Sequence, residues 1–85
     1  MGVKILYFAG LRETLGHAEE TLDNLPAGVA DAAALRAWLC ARGEPWNAMA
    51  PGKAVRMAVN QALAHATTPV RDGDEIAFFP PVTGG

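Results

Sequence analysis

The run Asp72-Gly73-Asp74-Glu75-Ile76-Ala77-Phe78-Phe79-Pro80-Pro81-Val82-Thr83-Gly84-Gly85 decides how this chain is read. Asp72-Gly73-Asp74 is a turn signal, and Glu75 to Phe79 follow as a strand. Alternation sends Ile76 and Phe78 to one face and Ala77 and Phe79 to the other. Pro80 and Pro81 end the strand, because neither donates a ladder hydrogen bond and both hold the backbone extended. The chain therefore divides into a folded part, 1–79, and a tail, 80–85, that is expected to be flexible when free and to order on a partner. At full extension the tail reaches roughly 20 Å, and its two terminal glycines, lacking Cβ, fit a very narrow pocket.

Working outward, the Val3 to Phe8 segment is rich in β-branched and aromatic residues and reads as a strand. Val3, Ile5 and Tyr7 point one way, Leu6 and Phe8 the other. Leu11 and Leu15 lie four apart, consistent with a short helix that ends at Gly16. Glu19 to Leu25 reads as a second strand, stopped by Pro26 and paired with the first as a hairpin. The clearest helix runs from Asp31 to Arg42, with Asp31 as N-cap, an alanine-rich body and Gly43 to terminate it. Leu35, Trp38 and Leu39 share its apolar stripe, and Cys40, about 150° away from the stripe, is expected to lie off the core. Pro45 to Ala50 reads as a helical turn around Trp46. Val55, Met57 and Val59 alternate with Arg56 and Ala58 as a strand, and Asn60-Gln61 is a tight connection to a short strand, Ala62 to Ala64.

Eighty-five residues allow one small domain and no separate cofactor lobe, so the chain is expected to act with a partner. Hydrophobic residues are 51% of the chain, but 17 are alanine, which leaves bulky side chains for one core only. A net charge of -2 supplies no field for a polyanion, so no nucleic-acid partner is expected. No apolar run approaches the roughly 18 residues of a membrane span, and no signal peptide precedes the first strand, so a cytoplasmic protein is expected. The single cysteine, Cys40, excludes an internal disulfide and has no neighbouring base to activate its thiol. His17 and His65 lack a second ligand at metal-site spacing, and no metal site is expected.

One long helix covers one face of a sheet. The first and last strands, however, carry large apolar groups on both faces. Either the short helical segments fold over the second face or that face is a protein interface. Phe8, Leu63 and Phe79 are the residues expected to form it.

On the opening strand with Tyr7-Phe8-Ala9 and Leu11-Arg12-Glu13, the helix segment Leu35-Arg36-Ala37, the stretch Ala58-Val59-Asn60-Gln61 and above all the run from Asp72 to Gly85, the chain resembles the sulfur-carrier small subunits of molybdopterin synthase. Residues 24–31 and 43–52 depart from that pattern. The resemblance implies an α+β, ubiquitin-like β-grasp fold: a mixed sheet with one main helix packed across one face. It implies that the Gly85 carboxylate is adenylated by an ATP-dependent activating enzyme and converted to a thiocarboxylate. The tail Pro80, Pro81, Val82, Thr83 and Gly84 would then present it to a large subunit in a heterotetramer with two copies of each chain. The substrate implied is cyclic pyranopterin monophosphate and the product the molybdopterin dithiolene. The resemblance implies that no cofactor is held permanently and that ATP is used by the activating enzyme. Phe8, Leu63 and Phe79 are implied contacts for both partners. Alternatives are a thiamine-pathway sulfur carrier, against which Phe78-Phe79-Pro80-Pro81 argues, a protein modifier joined through Gly85, and a β-grasp module with an inert tail.

Overall fold

The computed structural model describes residues 2–50 and 54–80. Its strands are β1 (Val3–Tyr7), β2 (Glu19–Leu22), β3 (Arg56–Val59), β4 (Ala62–Leu63) and β5 (Glu75–Phe79). Helix α1 (Gly10–Leu15) joins β1 to β2, helix α2 (Ala32–Cys40) follows β2, and a single 3-10 turn spans Trp46–Met49. The sheet order is β2-β1-β5-β3-β4. β1 runs parallel to β5 and antiparallel to β2, while β3 is antiparallel to both β4 and β5. The architecture is α+β, a mixed sheet under one main helix.

Register explains why one face is core. Ile5, Ile76 and Val59 form one row across three strands, and Tyr7, Phe78 and Met57 form the next. All six are buried, and Leu35 and Leu39 of α2 complete the core with Leu11, Leu15 and Met49. Full burial of such a side chain contributes on the order of 1.5–3 kcal/mol. Because α1 and the 3-10 turn bury their apolar residues in this same cluster, neither folds over the opposite face.

Local chemistry sets the element ends. The Asp31 carboxylate accepts a hydrogen bond from the Ala34 amide at 2.8 Å, capping α2. Gly16, at φ 75, takes the left-handed conformation that ends α1. Asn60 and Gln61 both have positive φ, 50 and 70, the geometry of a two-residue hairpin turn. At Gly2 an added Cβ would collide with the Leu22 carbonyl, so the approach of β1 to the end of β2 requires glycine.

The structure corrects several sequence expectations. β2 ends at Leu22 rather than Leu25, β4 at Leu63 rather than Ala64, and α2 stops at Cys40, short of Arg42. Trp38 does not share the buried stripe: it lies about 100° around the helix from Leu39, is 36% exposed, and has the Arg42 guanidinium over its ring with Cζ 4.9 Å from the centroid. Arg42 is also stacked at 4.7 Å on Trp46 and bonded to Glu20 at 2.9 Å. This polar clamp keeps both tryptophans at the surface end of the core. Cys40 is not remote from the core but packs partly buried against it. One turn earlier on the same side of α2, Arg36 donates to the carbonyls of Met49, Ala50 and Val55.

Candidate functional site: an open sheet face beside the tail

The strand order places the side chains that point away from α2 in two mainly apolar rows with a charged residue, Arg56, at one end of the second. Leu6, Ala77, Ala58 and Leu63 align across four strands. Phe79 is paired with Arg56 in the next row, and Phe8, one residue past the Tyr7–Phe78 pair, lies on its other side. Phe8 is 48% exposed and Leu63 57%, while Phe79 is half-buried. Two small alanines at the centre make the face shallow, so the larger Phe8, Leu63 and Phe79 stand around a flat floor. Charge is confined to the margin: Lys4 pairs with Glu19 at 3.6 Å at the β2 side, and Arg56 stands at the other.

Phe79 is the last residue of β5 and Pro80 follows it, so the apolar face and the start of the tail are continuous. The Phe8 amide donates to the Phe78 carbonyl at 3.1 Å, which ties the end of β1 to the strand that carries the tail. Pro81, Val82, Thr83, Gly84 and Gly85 lie outside the described residues.

On the opposite side, the Tyr7 hydroxyl donates to Glu20 at 2.7 Å, and Arg42 donates to both oxygens of the same carboxylate. Burial first, and the Glu20 carboxylate second, hold the Tyr7 phenol far above its ordinary ionisation range. Desolvation also raises the Cys40 thiol, with Arg36 opposing only in part, so this sulfur stays protonated at neutral pH. His17 is stacked on Trp46, with ring centroids 5.8 Å apart. His65 lies beyond β4, its amide bonded to Thr68 Oγ1 at 2.8 Å.

Sequence reading named Phe8, Leu63 and Phe79 and placed Leu6 and Ala77 on the same side by alternation. It missed the weight of Ala58 and Arg56, whose positions depend on β3 lying next to β5. It missed Glu20 entirely, because Glu in a weakly patterned edge strand reads as solvated.

Comparison with known proteins gives three likenesses. A protein of Escherichia coli (strain K12) named molybdopterin synthase sulfur carrier subunit is 44% identical over 85 residues, covering 98% of this chain and 99% of its own. The solved putative molybdopterin converting factor, subunit 1, from Pyrococcus furiosus has a TM-score of 0.76 at 30% identity, covering 96% of this chain and 99% of that one. The third is a Helicobacter pylori 26695 chain described in a protein-protein complex of subunits 1 and 2 of molybdopterin-converting factor. It matches over the full length of both chains, with a TM-score of 0.64 and 28% identity.

A five-stranded mixed sheet gripping one helix, with its last strand running off an open face into the tail, defines a ubiquitin-like β-grasp protein. The family model described as ThiS family matches residues 5–85. The chain belongs to the ThiS family, alongside the molybdopterin synthase sulfur carrier subunits it resembles.

Proposed function

We propose that this chain carries sulfur on its C-terminal glycine and works as the small subunit of a molybdopterin synthase. The observation that carries this reading is the continuity of an exposed apolar face with a strand that leads directly into Pro80, in a chain 44% identical throughout to a sulfur carrier subunit. An acceptor docked on Phe8, Leu63 and Phe79 receives the tail at the edge of its contact. Burial raises the Cys40 thiol, so it is not an activated nucleophile and has no part in this reading. The reacting group is the carboxyl of Gly85.

That carboxylate is anionic and resonance-stabilised, hence a poor electrophile. Attack of its oxygen on the α-phosphorus of ATP, at the activating enzyme, releases pyrophosphate and gives an acyl adenylate. A sulfur nucleophile then displaces AMP and leaves a thiocarboxylate, which is polarizable and anionic at neutral pH. Extended from Pro80, the tail holds this sulfur against the substrate in the large subunit, and effective molarity comes from that placement. The sulfur bonds to cyclic pyranopterin monophosphate, and water then hydrolyses the acyl–sulfur bond, leaving the sulfur on the substrate and regenerating the Gly85 carboxylate. Two copies of each subunit make the assembly.

Intact-mass analysis after incubation with the activating enzyme, ATP and a sulfur donor tests the reading. Sulfur replacing one oxygen at Gly85 is the expected product. Conjugates of higher mass would make the chain a modifier, and an unchanged mass would make the tail inert. Deleting Gly85, or adding one residue after it, is expected to abolish molybdopterin formation with the melting temperature unchanged.

A further inference from the structure

By strand register, the charged residues on the sheet face turned away from α2 are Lys4, Glu19, Glu75 and Arg56. Lys4 pairs with Glu19 at 3.6 Å and lies across from Glu75, so these three balance one another in part. Arg56 has no such company. It is exposed and makes no hydrogen bond or ion pair with any described residue. Its strand partner is Phe79, with Cα atoms roughly 5 Å apart as in any antiparallel pair. Glu75, the carboxylate on the same strand as Phe79, lies at the far end of β5, roughly 13 Å back along it. An uncompensated guanidinium thus stands beside the last strand residue before the tail.

On the sheet-face reading above, on which this inference rests, we propose that the large subunit presents a carboxylate to Arg56 at the point where the tail leaves the sheet. Leu63 is paired with Ala58, which shares β3 and the same face with Arg56. A partner that touches Phe79 and Leu63 together therefore closes over the Arg56 side chain as well. Covering that charge with a neutral surface would strip its water and return nothing, so the covering surface has to carry an anion. Orientation is the second reason. Apolar contact is not directional, and Ala58 and Ala77 leave the floor flat, so burial alone holds a partner without fixing its rotation. A guanidinium supplies the missing direction, because its planar fork bonds a carboxylate through two parallel N–H donors. The anion belongs to the large subunit and not to the substrate: residues 80–85 separate Phe79 from the reacting carboxyl, roughly 20 Å at full extension. Arg56 is thus a positioning residue that touches no reacting atom.

Arg56 is exposed, so Arg56→Gln is expected to keep the parental melting temperature. In titrations against the large subunit, Arg56→Gln is expected to lose about tenfold in affinity at low salt and less than about threefold at about 0.5 M salt, because the pair it removes is screened. Arg56→Lys keeps the charge and is expected to lose less than about threefold at low salt. A loss that does not shrink with salt, or one as large in Arg56→Lys as in Arg56→Gln, overturns the ion pair. Unchanged affinity in Arg56→Gln with Phe79→Ala still weakened overturns the carboxylate alone; unchanged affinity in both overturns the sheet-face reading and the carboxylate with it. Carbodiimide treatment of the Arg56→Lys complex identifies the partner group, since the reagent takes up the elements of water and joins an amine to a carboxylate in direct contact. Peptide mapping is expected to find position 56 linked to an Asp or Glu of the large subunit. A link only to a carboxylate of this chain, or no link at position 56, overturns the proposal.

Discussion

Phe79 sits half-buried at the last position of β5, with Arg56 across one side and Phe8 on the other. Because its ring faces away from α2, truncation leaves the core intact and, on the proposed reading, removes contact area from the large subunit. Phe79→Ala is therefore expected to weaken binding of the large subunit by on the order of 2 kcal/mol, about thirtyfold, with a near-native melting temperature. Calorimetric titration beside a thermal melt measures both; a collapse of the melt would make Phe79 a core residue. Tyr7 presents the reverse case, a buried phenol held protonated by burial and by Glu20. An unfolded tyrosine ionises near pH 10, whereas the folded one keeps its proton, so this contribution is complete below about pH 10 and is lost as pH rises further. Tyr7→Phe should flatten that alkaline loss, and urea melts of the two proteins from about pH 8 to 11 should diverge. Parallel curves would assign the loss to another group. Cys40 has a raised thiol and no part in the proposed chemistry, so Cys40→Ser should transfer sulfur at the parental rate. A slower rate in single-turnover assays would revive the thiol.

Among the elements, the β3–β4 hairpin shows how a local turn fixes a distant strand. The Asn60 amide donates to the Glu75 carbonyl at 2.7 Å, its side-chain Oδ1 accepts from the Glu75 amide, and its Nδ2 donates to Asp74, each at 3.0 Å. Asn60 thus pins the start of β5 to the end of β3 and sets the register that carries Phe79 to its place beside Arg56. Gln61 shares the positive φ but is exposed, and only its backbone has a role in the turn. Gln61→Gly relieves a left-handed conformation costing about 1–2 kcal/mol, offset by the entropy of glycine, and is expected to raise the melting temperature by roughly 2–6 °C. Differential scanning calorimetry decides it; a fall would mean that the Gln61 side chain holds the turn. Asn60-Gln61 was legible as a tight connection from its composition. The bonds to Asp74 and Glu75 were not, since they join residues 14 and 15 positions apart.

At the scale of the whole molecule, α2 closes one face of the sheet and leaves the other as an apolar surface beside the tail. One such surface serves one partner at a time. If both the activating enzyme and the large subunit use it, their binding is mutually exclusive, and the carrier leaves the synthase to be recharged. Competition measured with a labelled carrier and both purified partners should show displacement of either by the other; a ternary complex on size-exclusion chromatography would contradict the shared face.

Local pattern was enough to establish the strands β1, β3 and β5, the capped helix after Asp31, the Gly16 stop and the division of each strand into two faces. These depend on alternation, helix propensity and turn chemistry within a few residues. The tail chemistry proposed above comes instead from the family resemblance carried by the run from Asp72 to Gly85. What only the tertiary structure decided were the meetings between distant segments. The order β2-β1-β5-β3-β4 brings Phe8, Leu63 and Phe79 onto one surface although they are scattered over 72 positions of sequence. Glu20, Tyr7 and Arg42 become one hydrogen-bonded group, Trp38 stays at the surface under Arg42, and Cys40 packs partly buried against the core. Periodicity along one helix assigns each residue to an angle around its own axis. It carries no information about which other segment, arriving from far along the chain, will pack against that angle.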